Sequence, residues 1–337
     1  MATSESPVAN NGDTNSSQDD CATAINFAKS SGRPGLGHAV QYQYQGFWCF
    51  AKGIENIKDF QQNFKAPALA FAIVNRFRYP CSSSSMNYHQ HPLLTMSPHD
   101  LVPFIDFKHL YPDHSLLDFT KHGTTHDSPG RLIATHVPYP SLPESIKIST
   151  VNCKIIYLCR NPRDNFISMW LFMNKLRAMP ALASIDNPPL PIEEAFEFFC
   201  DGVSEFGPFW DHVLGYWKES LEKPHKVLFI KYEDLKKDPN THLKRLAEFM
   251  GCSFTLEEER QGVIEDISSL CSFEHMKNMD VSKNGTWTKR IDNKVYFRKG
   301  EIGDWKNHLT SQMVERLDSR MEEKLQGPGL VFQDNLP

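Results

Sequence analysis

The chain has 337 residues, 40% of them hydrophobic, which is enough to bury the core of one large α/β domain. Its 36 basic and 41 acidic residues give a net charge of −5, which argues against a surface built to neutralise nucleic acid and favours a small-molecule partner. The eight cysteines include no CxxC pair and fit no zinc site, so we expect reduced thiols and no metal. The longest apolar run, residues 68–74, is far shorter than the roughly 18 residues of a membrane span, so no membrane partner is expected.

The first part of the chain has the composition of a disordered tail. Residues 1–30 are rich in Ser, Asn, Asp and Thr and carry few large apolar side chains, so burial cannot repay the entropy of folding. Neither a secretory signal nor a transit peptide fits, because Lys29 is the first basic residue and Glu5 precedes it. We therefore predict a tail over residues 1–35, a single domain over residues 36–337 and a cytoplasmic location.

Three apolar, β-branched runs alternate with helical patterns. They read RLIATH, CKIIYLC and KVLFIKY, at residues 131–136, 153–159 and 226–232. Helix-start residues follow the second run at residues 161–164 and the third at residues 238–241, and Gly251 is placed to stop the second of these helices. This alternation predicts an α/β domain with a central parallel sheet flanked by helices.

Cationic and glycine-rich residues indicate two candidate phosphate-binding sites. In an open parallel sheet, ligands gather where strands end and helices begin, and there the sequence places Arg160, with Ser168 in the following helix. The run FRKGEIGDWK, residues 297–306, combines basic side chains with glycines whose backbone N–H groups could converge on an anion. The structural alternatives are a surface ion pair for Arg160, a solvent-facing Ser168 and a charged turn for the run.

His136 ends the first of the three predicted strands. An imidazole with a pKa near neutrality could there remove a proton from a bound hydroxyl. The alternative is a histidine that merely satisfies a neighbouring backbone group.

Seven segments, in order along the chain, resemble plant cytosolic sulfotransferases. They are YQGFWC (44–49), HPLLTMSPHDLVPF (91–104), ATHVPYPSLPESIK (134–147), CKIIYLCRNPRD (153–164), FGPFWDHVLGYWKES (206–220), KVLFIKYEDLKKDP (226–239) and FRKGEIGDWKNHLT (297–310). The resemblance implies a single-domain, P-loop-NTPase-like fold that moves a sulfonate group from 3′-phosphoadenosine 5′-phosphosulfate (PAPS) to a hydroxyl of a small acceptor such as a flavonoid or steroid.

The resemblance also implies residue roles. His136 would be the catalytic base. The 3′-phosphate would be bound by Arg160, Ser168 and the turn Arg298, Lys299 and Gly300, and the adenine by Tyr232, with Phe273 as a further candidate. It implies no metal, leaves the acceptor open and is compatible with a monomer or a homodimer.

One family element has no counterpart in this sequence. Family members carry a strand and a PKSGTTW-type loop that grip the 5′-phosphosulfate, whereas this chain reads NFKAPALAFAIVNR at residues 63–76, so the first strand and the P-loop are missing. The letters KHGTT at residues 121–125 lie between a polar loop and a strand, the wrong context for such a loop. Each preorganised donor is worth on the order of 3 kcal/mol, so an impaired or truncated member of the family is the alternative hypothesis. A P-loop kinase is excluded, because no GxxxxGK[ST] string occurs.

Overall fold

A computed structural model describes residues 41–63, 92–110, 133–147, 153–179, 188–287 and 291–332. The predicted tail, the segment 64–76 that would adjoin the missing loop and the KHGTT letters lie outside these residues.

The described residues form an α/β arrangement. The strands are β1 (Gln41–Tyr44), β2 (Phe47–Phe50), β3 (Ile155–Cys159), β4 (Val227–Lys231), β5 (Thr286–Trp287) and β6 (Ile291–Asp292). The helices are α1 (Ala51–Asn63), α2 (Pro98–Leu101), α3 (Glu144–Lys147), α4 (Pro162–Arg177), α5 (Ile192–Cys200), α6 (Phe209–Glu222), α7 (Tyr232–Lys237), α8 (Pro239–Met250), α9 (Leu256–Arg260), α10 (Val263–Leu270), α11 (Phe273–Asn278), α12 (Asp280–Asn284) and α13 (Ser311–Met321). Short 3₁₀ turns cover Pro92–Leu94, Ile105–Leu110, Tyr139–Ser141, Asn293–Tyr296 and Asp304–Asn307, and a π-helical turn covers Glu322–Gln326.

Two of the three predicted strands are confirmed, and they pair in parallel. Strand β3 lies beside β4 in a register that runs from Ile155 opposite Val227 to Cys159 opposite Lys231. Parallel strands end at the same edge of a sheet, so Arg160, which follows β3, and Tyr232, which follows β4, emerge side by side.

The two predicted helix starts are also confirmed. Asn161 caps α4 by accepting a hydrogen bond from the backbone N–H of Arg163 at 3.0 Å. Asp238 caps α8 in the same way, and Gly251 ends that helix with φ of 75°. Only glycine adopts this left-handed conformation without strain, which is why the helix stops there.

The predicted strand at residues 131–136 is wrong over its described residues, 133–136. Ala134 forms only an isolated parallel bridge to Phe104. The ladder does not continue, because the next N–H on this side, that of His136, donates to the carboxylate of Asp106 at 3.0 Å instead of to a strand neighbour. A side chain thus takes the place of a strand partner, and it holds His136 at the edge of the core.

A large apolar cluster lies between the sheet and the helices. Its most buried members come from helices on several sides, among them Ile57, Phe60, Phe166, Phe199 and Leu317. The described residues contain no helix that is both long and apolar enough to cross a membrane.

Candidate active site

His136 is held by a buried carboxylate through both its backbone and its side chain. Nδ1 lies 2.7 Å from Oδ2 of Asp106, and the backbone N–H donates to the same oxygen. Because a carboxylate accepts, Nδ1 carries the hydrogen, and the neutral ring keeps its lone pair on Nε2. The side chain is half exposed and Nε2 forms no hydrogen bond with a described residue, so Nε2 is available to a bound molecule.

Asp106 belongs to the 3₁₀ turn Ile105–Leu110 and is fully buried. Its carboxylate also accepts a short hydrogen bond from Thr135, and the side chain of Asn56 on α1 donates to its backbone carbonyl at 2.6 Å. Desolvation lowers the pKa of His136, but the hydrogen bond and charge of Asp106, with the charge of Glu205, outweigh this, and the net pKa is raised.

Aromatic rings flank His136 in a continuous series. Phe206 and Phe104 lie nearly parallel to the imidazole, with centroid distances of 5.5 and 4.9 Å. Beyond Phe104 the series continues through His99, at 5.5 Å, to Tyr296, which is 4.2 Å from His99. Stacked rings fix the plane of the imidazole and give its surroundings an apolar, flat-walled character.

A second histidine supports the backbone of the first. Nε2 of His212 lies 2.9 Å from the carbonyl oxygen of His136, and the hydroxyl of Tyr157 lies 2.9 Å from Nδ1 of His212. Since a carbonyl only accepts, His212 donates through Nε2 and accepts from Tyr157. Burial lowers the pKa of His212 to about 4, so it is neutral near pH 7. Tyr216 donates to the next carbonyl, that of Val137, at 2.6 Å.

Arg160 and Tyr232 contact each other where the carboxyl ends of β3 and β4 lie side by side, a place called the strand edge below. The guanidinium carbon of Arg160 lies 4.9 Å from the centroid of the Tyr232 ring. One guanidinium nitrogen donates to the backbone carbonyl of Glu301 at 2.8 Å. The strand edge is therefore joined directly to the glycine-containing run at residues 297–306.

Asp164, in the first turn of α4, binds the backbone of the glycine-containing run at residues 297–306. Its carboxylate accepts from the backbone N–H of Gly303 at 2.6 Å and from that of Trp305 at 3.2 Å. Ser168 lies one turn further along α4, half-buried, and its side chain forms no hydrogen bond with another described residue. Its hydroxyl is thus available to a ligand.

Arg298 and Lys299 form ion pairs with a buried acid of their own run. Both contact the carboxylate of Asp304, which is fully buried, with Lys299 at 2.5 Å. Asn307 donates to the same carboxylate at 2.9 Å. Desolvation raises the pKa of Asp304, but the hydrogen bonds from Lys299, Asn307 and Arg298 outweigh this and hold it well below its usual range.

The sequence matches the Sulfotransferase domain family over residues 67–329. The chain belongs to the sulfotransferase family. Cytosolic sulfotransferase 15 of Arabidopsis thaliana is 44% identical over 310 residues, which cover 87% of this chain and 82% of that protein. Flavonol 4′-sulfotransferase of Flaveria chlorifolia is 41% identical over 319 residues, covering 88% and 92%. The resemblance to plant cytosolic sulfotransferases is confirmed.

Solved structures confirm the single-domain α/β sulfotransferase fold. A crystal structure of an Arabidopsis thaliana protein assigned as a steroid sulphotransferase superposes with a TM-score of 0.64 at 35% identity, covering 97% of this chain and all of that one. Mouse sulfotransferase SULT7A1, crystallised with PAP, superposes with a TM-score of 0.58 at 24% identity, covering 85% and 95%, and supports the fold alone.

Two features of this sulfotransferase fit a phosphate-bearing nucleotide at the strand edge. Nε of Arg160 is shielded from solvent and forms no hydrogen bond with a described residue, so a buried donor awaits an acceptor. Gly300 has φ of 67°, and a Cβ there would lie 2.6 Å from the ring of Phe273, so the turn backbone lies directly against that ring. The described residues contain no group of side chains that could hold a metal ion.

The structure brings most of the predicted site residues of this sulfotransferase into one region. Arg160, Tyr232 and the turn that contains Gly300 are in contact directly or through one neighbour. Sequence reasoning missed Asp106, which lies 30 residues before His136, beyond any local pattern. It also missed Asp304, although this residue lies inside the glycine-containing run.

Proposed function

We propose that this chain is a cytoplasmic enzyme that transfers a sulfonate group from PAPS to the hydroxyl of a small, flat aromatic acceptor. The observation that carries the proposal is the pairing of His136 with Asp106, which leaves Nε2 open beside stacked aromatic rings. An acceptor hydroxyl at Nε2 would lose its proton to a ring whose other nitrogen is already held.

His136 and Asp106 together supply the proton transfer. When bound, the nucleotide supplies an activated sulfonate group on its 5′-phosphate. His136 accepts the hydroxyl proton at Nε2 while the acceptor oxygen bonds to sulfur and the bond from sulfur to the 5′-phosphate oxygen breaks. The buried charge of Asp106 stabilises the imidazolium that results.

The strand edge would hold the nucleotide. Arg160, Ser168 and the turn of Arg298, Lys299 and Gly300 would bind its 3′-phosphate, as we infer from the unsatisfied Nε of Arg160 and the available hydroxyl of Ser168. Tyr232 would contact the adenine. Membership of the sulfotransferase family supports a nucleotide of this kind.

The acceptor would be flat and hydroxylated. Phe104, which is half-buried and lies nearly parallel to the imidazole of His136, would contact an aromatic ring of the acceptor. The names of the relatives, a flavonol 4′-sulfotransferase and a protein assigned as a steroid sulphotransferase, support planar or rigid acceptors.

The test is transfer of radiolabelled sulfonate from PAPS to a panel of flavonols and simple phenols, comparing the wild type with His136→Gln. We expect transfer by the wild type and a kcat lower by about 10²- to 10⁴-fold in the variant, because general-base help is worth that much. Calorimetry with PAP should give the same affinity for both proteins. PAP binding without transfer by the wild type would instead support the inactive-member alternative, and a loss below tenfold in the variant would show that His136 is not the base.

A further inference from the structure

Helix α6 holds the backbone of His136 on its carbonyl side. His212 and Tyr216 lie four residues apart on this helix, so their side chains project from the same face. Nε2 of His212 donates to the carbonyl of His136 at 2.9 Å. The hydroxyl of Tyr216 donates to the carbonyl of Val137 at 2.6 Å. Two side chains of α6 thus supply bonds that a neighbouring strand would supply in a sheet.

Tyr157 connects this arrangement to β3. Its hydroxyl lies 2.9 Å from Nδ1 of His212 and donates to it, because the hydrogen of the neutral imidazole is on Nε2. Its ring stacks on that of Tyr216, with centroids 4.2 Å apart and planes 15° apart. Arg160 follows three residues later, roughly 10 Å further along the chain. A continuous series of contacts therefore leads from the strand that delivers Arg160 to the backbone of His136.

Asp106 and His212 act on the two peptide planes that flank the α-carbon of His136. Asp106 accepts from the N–H in the plane before it, at 3.0 Å, and His212 donates to the carbonyl in the plane after it. Because each peptide unit is planar, holding both planes fixes the two backbone dihedrals between them. These dihedrals set the direction in which the imidazole leaves the chain.

We propose that His212, held by Tyr157, is a positioning residue that sets the location of Nε2 of His136 relative to a nucleotide bound at the strand edge. The proposal rests on the proposed function for the role of His136 as the base. A reacting group that is displaced by about 1 Å loses on the order of 10²-fold in rate, although the groups that bind the substrates stay in place. Loss of the His212 bond should therefore lower kcat and leave KM and the affinity for PAP nearly unchanged.

The test compares two amides of different reach at position 212. The amide nitrogen of Gln lies as many bonds from the backbone as Nε2 of His212, whereas the shorter Asn ends at the level of Nδ1. For radiolabelled sulfonate transfer from PAPS to a flavonol, we expect kcat to fall by about 10²-fold in His212→Asn and by about fivefold or less in His212→Gln. The KM values and the PAP affinity, measured by calorimetry, should change by less than about threefold in both. The matched control is His225→Asn, an exposed histidine between α6 and β4, which should keep the wild-type kcat.

A double-mutant cycle tests the link to β3. Tyr157→Phe keeps the ring that stacks on Tyr216 and removes only the hydroxyl that bonds to His212. Alone it should lower kcat by about fivefold, and in the His212→Asn background by less than about twofold, because the hydroxyl acts only through the imidazole. Effects that multiply would contradict the proposal. If neither His212 variant folds, Tyr157→Phe alone must lower kcat about fivefold at unchanged KM, and a smaller loss would contradict the proposal.

The ¹³C chemical shifts of the α- and β-carbons of His136 give a readout that needs no turnover, since they report its backbone dihedrals. They should stay at the wild-type values in His212→Gln and move in His212→Asn. This pattern without sulfonate transfer by the wild type would refute the proposed function and support the positioning of His136. Transfer by the wild type with equal kcat in the Gln and Asn variants would overturn the positioning role and leave the proposed function standing. Unmoved shifts in His212→Asn would contradict the positioning role whether or not transfer occurs.

Discussion

Two fully buried aspartates organise the two halves of the site, and they do so differently. Asp106 holds one side of the His136 ring and leaves the reactive nitrogen open. Asp304 instead forms ion pairs with Arg298 and Lys299, so a phosphate bound at that turn must compete with the carboxylate of Asp304 for these two cations. The half of the site that would bind the acceptor is thus arranged around the available lone pair on Nε2 of His136. In the half that would bind the nucleotide, the carboxylate of Asp304 holds the two cations in position at the place where a phosphate would bind.

Removing the charge of each aspartate in turn tests whether the two carboxylates play different structural roles. Asp304→Asn should lower the free energy of unfolding by about 3 kcal/mol, because it leaves the mostly buried guanidinium of Arg298 without its partner, whereas Lys299 is 43% exposed and adds little. Asp106→Asn should cost about 1–2 kcal/mol, because its main partner, His136, is half exposed and an amide oxygen can still accept one hydrogen bond. Urea denaturation at pH 7 measures both. Equal losses would mean that the two carboxylates are structurally equivalent.

The two glycines of the nucleotide turn give a smaller and more local effect. Gly300 and Gly303 both have positive φ, 67° and 84°, so alanine at either position should cost on the order of 1 kcal/mol in backbone strain. Only at position 300 would the new Cβ meet the ring of Phe273, whereas nothing lies within 4 Å at position 303. We therefore expect Gly300→Ala to weaken PAP binding by tenfold or more and Gly303→Ala by less than threefold, as measured by calorimetry. Equal effects would indicate that strain alone matters.

How far the sequence predicts this molecule differs between its two halves. Around β3 and β4 the signals are local, since an apolar run, a capping Asn161 and a terminal Gly251 each act on their own neighbours. The setting of His136 depends on Asp106, 30 residues away, and the predicted strand ends early because that carboxylate takes its N–H. Long-range side-chain to backbone bonds leave no periodic trace in a single sequence. The sequence does not predict a role for Glu205 for the same reason.

The smallest expected effect is a difference in how the two halves respond to pH. The folded pKa of Glu205 is raised to about 7, so the stability it contributes is present in acid and is lost as the pH rises through 7. The raised pKa of His136 acts in the same direction above its unfolded value of about 6.5. Asp304 has a lowered pKa, so its contribution is present above about pH 4 and does not change between pH 5.5 and pH 8.

Urea midpoints at pH 5.5 and pH 8 test this difference. Between the two values Glu205→Gln should gain stability relative to the wild type, because it lacks the carboxyl that must ionise within the protein. Asp304→Asn should show the same pH response as the wild type, shifted downward by a constant amount. Half-buried His99 and His212, whose pKa values desolvation lowers to about 4, oppose the trend below pH 6.5, but they are present in every variant and cancel in the difference. A pH response that changes in Asp304→Asn and not in Glu205→Gln would place the titrating charge in the nucleotide half and reverse the assignment made for the two acids.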